Sequence, residues 1–277
     1  MTDSPAGNAP GAAGPETTLS ISPEGAATIR LNRPERRNSF TDTLMESLLD
    51  SVEAAVADPT VRVIVVTGGE RCFSVGGDLD EFAAGVFAPP HLSVEQSAGV
   101  LRRHARAVEL LRSADAVSIA AIGGPCAGAG LSLAAACDLR IASTSAVFRT
   151  AFIDAGLASD YGGAWSLTRL LGEARAKELF LLNSKVTAEQ ALEIGLVSRL
   201  VDPDRLATAA TELADSLLAK APLALSTAKR LLGAQPADFG AALDEESLAQ
   251  KRCAYTADAR EAADAFVERR APRFTGA

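Results

Sequence analysis

Two glycine-containing segments each follow an apolar run that is typical of a buried strand. The first, SVGGD at residues 74–78, comes after the β-branched run at 61–66. The second, GGPCAGAG at residues 123–130, comes after the run at 119–122 and opens a small-residue stretch at 131–136 that predicts a buried helix. The first amides of a helix have no partner within it, and small residues let a ligand approach the backbone. Each segment is therefore suited to holding an anion or a developing oxyanion.

The two segments are more informative together than apart. If their strands are parallel neighbours, the loops at their carboxyl ends lie side by side. One backbone amide from each loop would then bind a single carbonyl oxygen, which is an oxyanion hole. Removing one such donor typically costs ~3–4 kcal/mol of transition-state stabilisation. The alternative is that both segments are only tight turns.

Other chemistries with glycine loops find little support. The spacing of Gly124, Gly128 and Gly130 resembles a dehydrogenase cofactor loop, but it lies in the middle of the chain, and neither Tyr161 nor Tyr255 is followed four residues later by lysine. The chain also has no Gly-Lys-Ser/Thr phosphate loop and no Gly-x-Ser-x-Gly nucleophile elbow.

Composition narrows the class of protein further. The chain has 277 residues and a net charge of −8, which argues against a general nucleic-acid binder. Its four cysteines show no metal-ligand spacing, so we expect no metal site, and they fit a reducing cytoplasm. No apolar stretch is long enough to predict a membrane span, and the first residues do not resemble a secretory signal.

The order of the predicted elements indicates an α/β fold. A hairpin at 19–31, a helix at 41–57 and the two buried strands begin an alternation of strands and helices that lasts to residue 201. One helix is predicted at 94–113, and only helices follow residue 203. We therefore predict a disordered tail at 1–18, an α/β core at 19–201 and a helical region at 202–277 that packs on a partner.

Several motifs resemble the enoyl-CoA hydratase/isomerase (crotonase) superfamily over most of the chain. The matching segments are LNRPERRNSF, VIVVTGGERCFSVGGDLDEF, AAIGGPCAGAGLSLAAACDLRIA, FRTAFIDAGLASDYGGAWSLTRLLG, AKELFLLNSKVTAEQALEIGLVSRLV and AREAADAFVERRAPRF. The resemblance implies a spiral of ββα repeats with a helical C-terminal trimerisation region, and usually a hexamer formed by two trimers. It also implies acyl-CoA thioester substrates, with CoA as part of the substrate and no separate cofactor. The oxyanion amides would be those of Gly77 and Ala129.

The acid/base residues depart from the hydratase pattern. The resemblance places the two hydratase glutamates at Ser132 and Phe152, and neither carries a carboxylate. Asp160, eight residues after Phe152, matches an aspartate of dienoyl-CoA isomerases, ring-opening epoxide isomerases and benzoyl-CoA dehalogenases. We predict that Asp160 moves a proton in a double-bond isomerase, with apolar Phe152 raising its pKa. A helix N-cap worth about 1 kcal/mol is the structural alternative for Asp160.

Other readings of the chemistry stay open. They are an enoyl-CoA hydratase, another crotonase such as a hydrolase or dehalogenase-like enzyme, and a non-catalytic CoA-binding homologue. For a dehalogenase-like enzyme, His104 would be the water-activating histidine; otherwise it lies at the surface or core edge.

The remaining candidates would bind substrate or support the structure. The resemblance places Arg36 and Arg37 near the nucleotide, and Phe266 and Arg269 against CoA in a neighbouring subunit. The predicted substrate-binding residues are Arg36, Arg37, Val75, Ser132, Phe152, Tyr161, Phe266 and Arg269. Tyr161 and Trp165 would line the acyl pocket or pack in the core. Asp78 is expected to cap the following helix, Asp138 to make structural hydrogen bonds, and Asp154 to face either solvent or the site.

Overall fold

The computed structural model describes residues 15–277, and the first 14 residues of the predicted tail lie outside this range. Within the described residues, nine strands and twelve α-helices alternate as expected for an α/β protein. The first strand begins at Thr17, two residues before the predicted start of the core at residue 19. The strands are β1 Thr17–Ile21, β2 Ala26–Leu31, β3 Val63–Thr67, β4 Val117–Ile122, β5 Pro125–Ala127, β6 Leu139–Ser143, β7 Val147–Arg149, β8 Val186–Thr187 and β9 Arg199–Val201. The helices are α1 Asp42–Ala57, α2 Leu79–Ala83, α3 Val94–His104, α4 Arg106–Ser113, α5 Ala129–Ala136, α6 Gly163–Leu171, α7 Glu173–Leu182, α8 Ala188–Glu193, α9 Leu206–Leu218, α10 Pro222–Gly233, α11 Phe239–Ala254 and α12 Ala257–Glu268.

A six-stranded sheet forms the centre of the molecule, with the strand order β1-β2-β3-β4-β6-β9. Only the β1–β2 pair is antiparallel. Successive side chains of a strand point to opposite faces, so β3 divides its residues between two cores. Ile64 and Val66 join the larger core with α1, α4 and α5, whereas Val63 and Val65 pack with α9. This burial on both faces accounts for the continuous apolar pattern of β3 and β4.

The sheet register places the two glycine loops at one edge. β3 and β4 are parallel neighbours, and Thr67 at the end of β3 pairs with Ala121 near the end of β4. The chain leaving β4 then forms β5, which belongs to a second sheet with the order β5-β7-β8. The segment between β5 and α5 therefore lies beside the segment that leaves β3.

The helix predicted at 94–113 is divided into α3 and α4 at Ala105. The two halves differ in what they bury. His104 is the buried residue of α3, whereas α4 buries Ala107, Val108 and Leu111 against the core. Because only α4 has an apolar face that matches the core, the two halves are not held to a single axis.

The C-terminal helices are unevenly packed. α9 completes the second core, but α11 has no buried residue and large apolar side chains such as Phe239 and Phe266 are exposed. Lys229 anchors α10 to the core, because its ammonium group contacts Oδ2 of Asp138 at 2.8 Å and the carbonyl oxygens of Leu111 and Ala116. No helix within residues 15–277 combines the length and apolarity needed to cross a membrane.

Candidate active site

The two glycine loops lie side by side, as expected from parallel strands. The N–H of Ala127 donates a hydrogen bond of 2.9 Å to the carbonyl oxygen of Ser74, and Ser74 and Cys126 form a parallel bridge. A Cβ on Gly76 would lie only 3.3 Å from the amide nitrogen of Ala129. The backbones thus approach to a distance that a side chain at position 76 would obstruct.

Two backbone N–H groups are available where the loops meet. Ala129 is the first residue of α5, so its N–H has no partner within the helix. The N–H of Gly77 donates no hydrogen bond to any residue from 15 to 277. The loop that precedes Gly77 turns through Gly76, whose φ of +87° is a conformation that glycine adopts readily. Both N–H groups are therefore free to bind an added oxygen, and their joint use as an oxyanion hole stays a prediction.

Asp160 has a buried carboxyl oxygen without a hydrogen-bond partner. Its Oδ1 is one of three buried side-chain atoms in this condition within the described chain, the others being Glu81 Oε2 and Asn183 Nδ2. Burial raises the pKa of Asp160 from 3.8 to about 7. A carboxyl group with such a pKa changes its charge near neutral pH, which suits an acid/base residue.

The capping role considered for Asp160 is not observed. The N-cap of α6 is Gly162, and Oγ of Ser159 accepts the hydrogen bond from the N–H of Ala164 at 2.9 Å. The carbonyl oxygen of Asp160, not its carboxylate, accepts from the N–H of Gly163 at 2.8 Å. Because a neighbouring serine and the backbone satisfy this end of the helix, Oδ1 of Asp160 remains without a hydrogen-bond partner.

Ser132 connects the Asp160 loop to the second glycine loop. It lies one turn after Ala129 on α5 and is 1% exposed. A Cβ on Gly163 would clash with Oγ of Ser132, so α5 and α6 touch at this point. The loop that carries Asp160 ends at Gly163, so this end of the loop lies against α5.

Phe152 is buried in the segment that leads to Asp160. Its ring stacks on Phe180 of α7, with 6.1 Å between the ring centroids and 11° between the planes. Its position next to Asp160 in the site, and its effect on the pKa of Asp160, stay predictions.

Tyr161 and Trp165 differ in their surroundings. Tyr161 is buried and packs edge-on against Phe40, with 5.9 Å between centroids. Burial raises its pKa, and the charges of Asp160 and Asp42 add to this effect. Trp165 is 41% exposed, so the expectation of core packing for this residue is wrong. The guanidinium groups of Arg112 and Arg169 stack over its ring at 4.2 Å and 3.5 Å from the centroid, which accommodates the exposed indole.

Arg36, Arg37 and Val75 lie at the first glycine loop. The N–H of Val75 donates to the carbonyl oxygen of Arg37 at 3.3 Å. Arg36 pairs through Nη2 with Oδ1 of Asp78 at 3.3 Å and also with Asp80. Asp78 caps α2, as expected, by accepting from the N–H groups of Asp80 and Glu81.

The expectation that Asp138 makes structural hydrogen bonds is confirmed, and the candidates Asp154 and His104 each have a charged neighbour. Asp138 accepts hydrogen bonds from the N–H and Oγ of Ser118 at 2.7 and 2.8 Å. Asp154 faces solvent and pairs with Arg149 at 2.6 Å. His104 is buried beside Glu46, with 3.1 Å between Nε2 and Oε1.

Phe266 and Arg269 lie on the outside of the single chain. Phe266 is 85% exposed near the end of α12, and Arg269 follows the helix in a left-handed conformation. Their contact with CoA in a neighbouring subunit stays a prediction.

Sequence reasoning missed two residues near the first loop. The ring of Phe87 lies against Gly77, because a Cβ at Gly77 would be 2.9 Å from its Cε2. Glu81 in α2 has a buried, unpartnered carboxyl oxygen, and burial raises its pKa. Phe87 is in a segment without periodicity, so no local signal reveals this contact.

A surface cavity of about 770 Å³ lies elsewhere, between the β1–β2 hairpin and α9, and none of the predicted site residues lines it. Within residues 15–277, no group of three or more His, Cys, Asp or Glu side chains is placed to hold a metal ion.

The fold and the loops together define a class of protein: an α/β protein with two adjacent glycine loops that leave backbone amides free, and a loop packed against α5 that carries the partly buried Asp160. The chain belongs to the enoyl-CoA hydratase/isomerase family, whose model matches residues 22–277. It has the crotonase fold, with a helical C-terminal region.

The relatives include isomerases and hydratases. The chain is 37% identical to the 1,2-epoxyphenylacetyl-CoA isomerase of Escherichia coli K12, over 94% of this chain and 99% of that protein. It is 33% identical to the trans-2-decenoyl-[acyl-carrier-protein] isomerase of Streptococcus mutans, over 91% and 95% of the two chains. The crystal structure of an enoyl-CoA hydratase from Bacillus anthracis matches with a TM-score of 0.85 and 29% identity, over 95% of this chain and 100% of the other.

Proposed function

We propose that the protein is an acyl-CoA double-bond isomerase that uses Asp160 as a single proton-transferring group. The observation that carries this proposal is the buried, unpartnered Oδ1 of Asp160, in a carboxyl group whose pKa lies at about 7. A group that both removes and returns a proton works best when its pKa is close to the working pH.

The reaction proceeds through a conjugated enolate. The thioester carbonyl oxygen accepts hydrogen bonds from the N–H groups of Gly77 and Ala129. The Asp160 carboxylate removes a proton from C2 of a 3-enoyl thioester, and the electron pair of that C–H bond moves into the enolate. The protonated Asp160 then returns the proton to C4, which shifts the double bond to C2–C3. The reverse reaction starts at C4, and neither direction consumes water or a cofactor.

The residues at the two hydratase positions favour isomerisation over hydration. Syn addition of water requires groups that orient the water and transfer its proton. Ser132 is buried against Gly163 and Phe152 is apolar, so neither position supplies a carboxylate. Two relatives are named as isomerases, of 1,2-epoxyphenylacetyl-CoA and of trans-2-decenoyl-[acyl-carrier-protein], and these names agree with a reaction that rearranges the acyl group.

The substrate contacts are part of the same proposal. Ser132, Phe152 and Tyr161, together with Val75, would line the acyl and thioester region. Arg36 and Arg37 would face the nucleotide, and Phe266 and Arg269 would approach it from a neighbouring subunit. The protein would act in the cytoplasm as a homotrimer or hexamer, with CoA entering only as part of the substrate.

Asp160→Asn tests the proposal, with Asp154→Asn as the matched control. Asp154 lies in the same segment, but its side chain is exposed and paired with Arg149. We expect conversion of 3-enoyl-CoA to 2-enoyl-CoA, followed by absorbance and mass, to fall by about 10²–10⁴-fold in Asp160→Asn. The control should stay within about twofold of the unmodified protein, since its carboxylate only forms a surface ion pair.

Three outcomes would contradict the isomerase proposal. The first is a full isomerisation rate in Asp160→Asn. The second is a product that is heavier than the substrate by the mass of one water molecule, because this product would identify hydration. The third is CoA-thioester binding without turnover across a panel of acyl groups, which would identify a non-catalytic homologue.

A further inference from the structure

Asp78 is a buried carboxylate directly after the oxyanion residue Gly77. Its side chain is 3% exposed and accepts a hydrogen bond from Oγ of Ser39 at 2.7 Å. It also contacts the guanidinium groups of Arg33 at 3.5 Å and Arg36 at 3.3 Å. Capping of the five-residue helix α2 accounts for two backbone contacts, but it does not require two arginines and a serine.

The backbone on either side of Gly77 is held by one residue of the neighbouring segment. The N–H of Phe40 donates to the carbonyl oxygen of Gly76 at 2.7 Å, and the N–H of Asp78 donates to the carbonyl oxygen of Phe40 at 2.9 Å. The Asp78 side chain contacts Ser39, the residue before Phe40. Backbone and side chain of Asp78 therefore hold the same segment, and the direction of the Gly77 N–H depends on that attachment.

Arg36 links this buried carboxylate to the surface. Its side chain is 44% exposed and also pairs with Asp80, whose side chain is 79% exposed. A guanidinium group has five N–H donors in a planar arrangement, so one edge can hold Asp78 while the other binds a phosphate. Asp80 would be displaced with little loss, since exposed ion pairs contribute little.

We propose that Asp78 is a positioning residue for the Gly77 N–H, and that Arg36 joins it to a phosphate of the CoA moiety. Binding of the nucleotide end of the substrate would then fix the oxyanion hole at the thioester end. The inference rests on the proposed use of acyl-CoA thioesters and deepens it.

The charge balance around Asp78 agrees with this role. A negative charge beside a forming enolate would oppose it unless cations neutralise the carboxylate. Burial raises the pKa of Asp78, but hydrogen bonds from Ser39, Arg36 and the amides of α2 outweigh it, and the net pKa is lowered to about 2. The carboxylate is thus ionised and paired throughout the neutral range.

The test measures enolate formation without turnover. Acetoacetyl-CoA is a β-keto thioester whose enolate absorbs in the near ultraviolet, and the matching pantetheine thioester lacks the nucleotide. Asp78→Asn should lower the absorbance per bound ligand at saturation at least about threefold for both ligands. Arg36→Gln should weaken binding of the CoA thioester at least about tenfold, leave pantetheine-thioester binding unchanged, and lower the enolate absorbance of bound acetoacetyl-CoA.

Two further variants make the outcome decisive. Asp80→Asn should change neither quantity, because its carboxylate is exposed. Ser39→Ala keeps all charges and removes one hydrogen bond to Asp78, so a smaller fall in enolate absorbance is expected even if Asp78→Asn does not fold. An unchanged enolate signal in folded Asp78→Asn, or in Ser39→Ala when the first variant does not fold, would limit Asp78 to a structural role.

The nucleotide link and the isomerase reaction are separable in this design. Equal effects of Arg36→Gln on the two ligands would overturn the link to the CoA phosphate. The enolate signal needs no proton return to C4, so a failure of the isomerase assay leaves this test intact. Wild-type binding without an enolate band would contradict both proposals.

Discussion

Asp160→Asn should make the protein more stable while it lowers the isomerisation rate by about 10²–10⁴-fold, and the gain in stability should depend on pH. The structure places the pKa of Asp160 at about 7 in the folded protein, against 3.8 for an ordinary aspartate. The folded state therefore holds this proton more tightly than the unfolded state. The stabilising contribution of the proton is fully present below pH 3.8 and is lost as the pH rises through about 7.

The magnitude follows from the size of the shift. A difference of about 3 pKa units corresponds to about 4 kcal/mol at 1.36 kcal/mol per unit. At pH 5, which is about 1 unit above the pKa of the unfolded state, the unmodified protein has lost only about 1–2 kcal/mol of this stabilisation. Asparagine keeps the shape and removes the charge, so Asp160→Asn should gain about 2–3 kcal/mol more relative to the unmodified protein at pH 8 than at pH 5.

Urea unfolding at pH 5 and pH 8 measures this difference, with Asp154→Asn as the control. Asp154 is exposed and paired, so its substitution should shift the free energy of unfolding by less than about 0.5 kcal/mol at either pH. An Asp160→Asn effect that is equal at both pH values would refute the assignment of a raised pKa to this group. Retained isomerisation in that variant would separately refute its catalytic role.

Three further results are expected. Gly76→Ala should lower kcat at least about tenfold in steady-state assays of isomerisation. The reason is that φ at Gly76 is +87° and the new Cβ would lie 3.3 Å from the Ala129 nitrogen. An unchanged kcat would contradict the proposed oxyanion hole. Lys229→Met should lower the free energy of unfolding by about 3 kcal/mol in urea titrations, because it leaves Asp138 without its buried cation. The control Lys177→Met breaks the exposed ion pair with Glu173 and should lower the free energy of unfolding by less than about 0.5 kcal/mol. In ¹⁸O-labelled water, label should enter the acyl product at least about 100-fold more slowly than the double bond moves, and comparable rates would indicate a hydratase.

Local sequence signals predicted the elements that carry the site. The hydrogen bonds of the Thr187–Gln190 capping box involve residues only three positions apart, so a threonine followed by glutamine at this spacing is a local signal for the start of α8. Asp78 caps α2 for the same reason. The glycines at 76 and 128 have positive φ values, in agreement with the turns expected after two buried strands.

Interactions between distant segments were not predictable in the same way. Trp165 follows a helical pattern that suits either a core or a surface position, and Arg112, from α4, decides its exposed environment together with Arg169. The break at Ala105 depends on which half of the predicted helix meets the core. Arg169 is close to Trp165 in the chain, but Arg112 and the core residues that meet α4 are not, so these distant contacts are not visible in the local sequence.

The sequence by itself determined the α/β order of elements and the two glycine loops, because these are matters of residue type and spacing. Its resemblance to the crotonases implied that Ser132 and Phe152 stand where hydratases have glutamate. Only the tertiary structure decided the state of Asp160. Its raised pKa depends on burial, and its free carboxyl oxygen depends on Ser159 and the backbone satisfying the start of α6. Desolvation and competition for hydrogen bonds arise when separate segments meet, so the chemistry of this carboxyl group is a property of the folded chain.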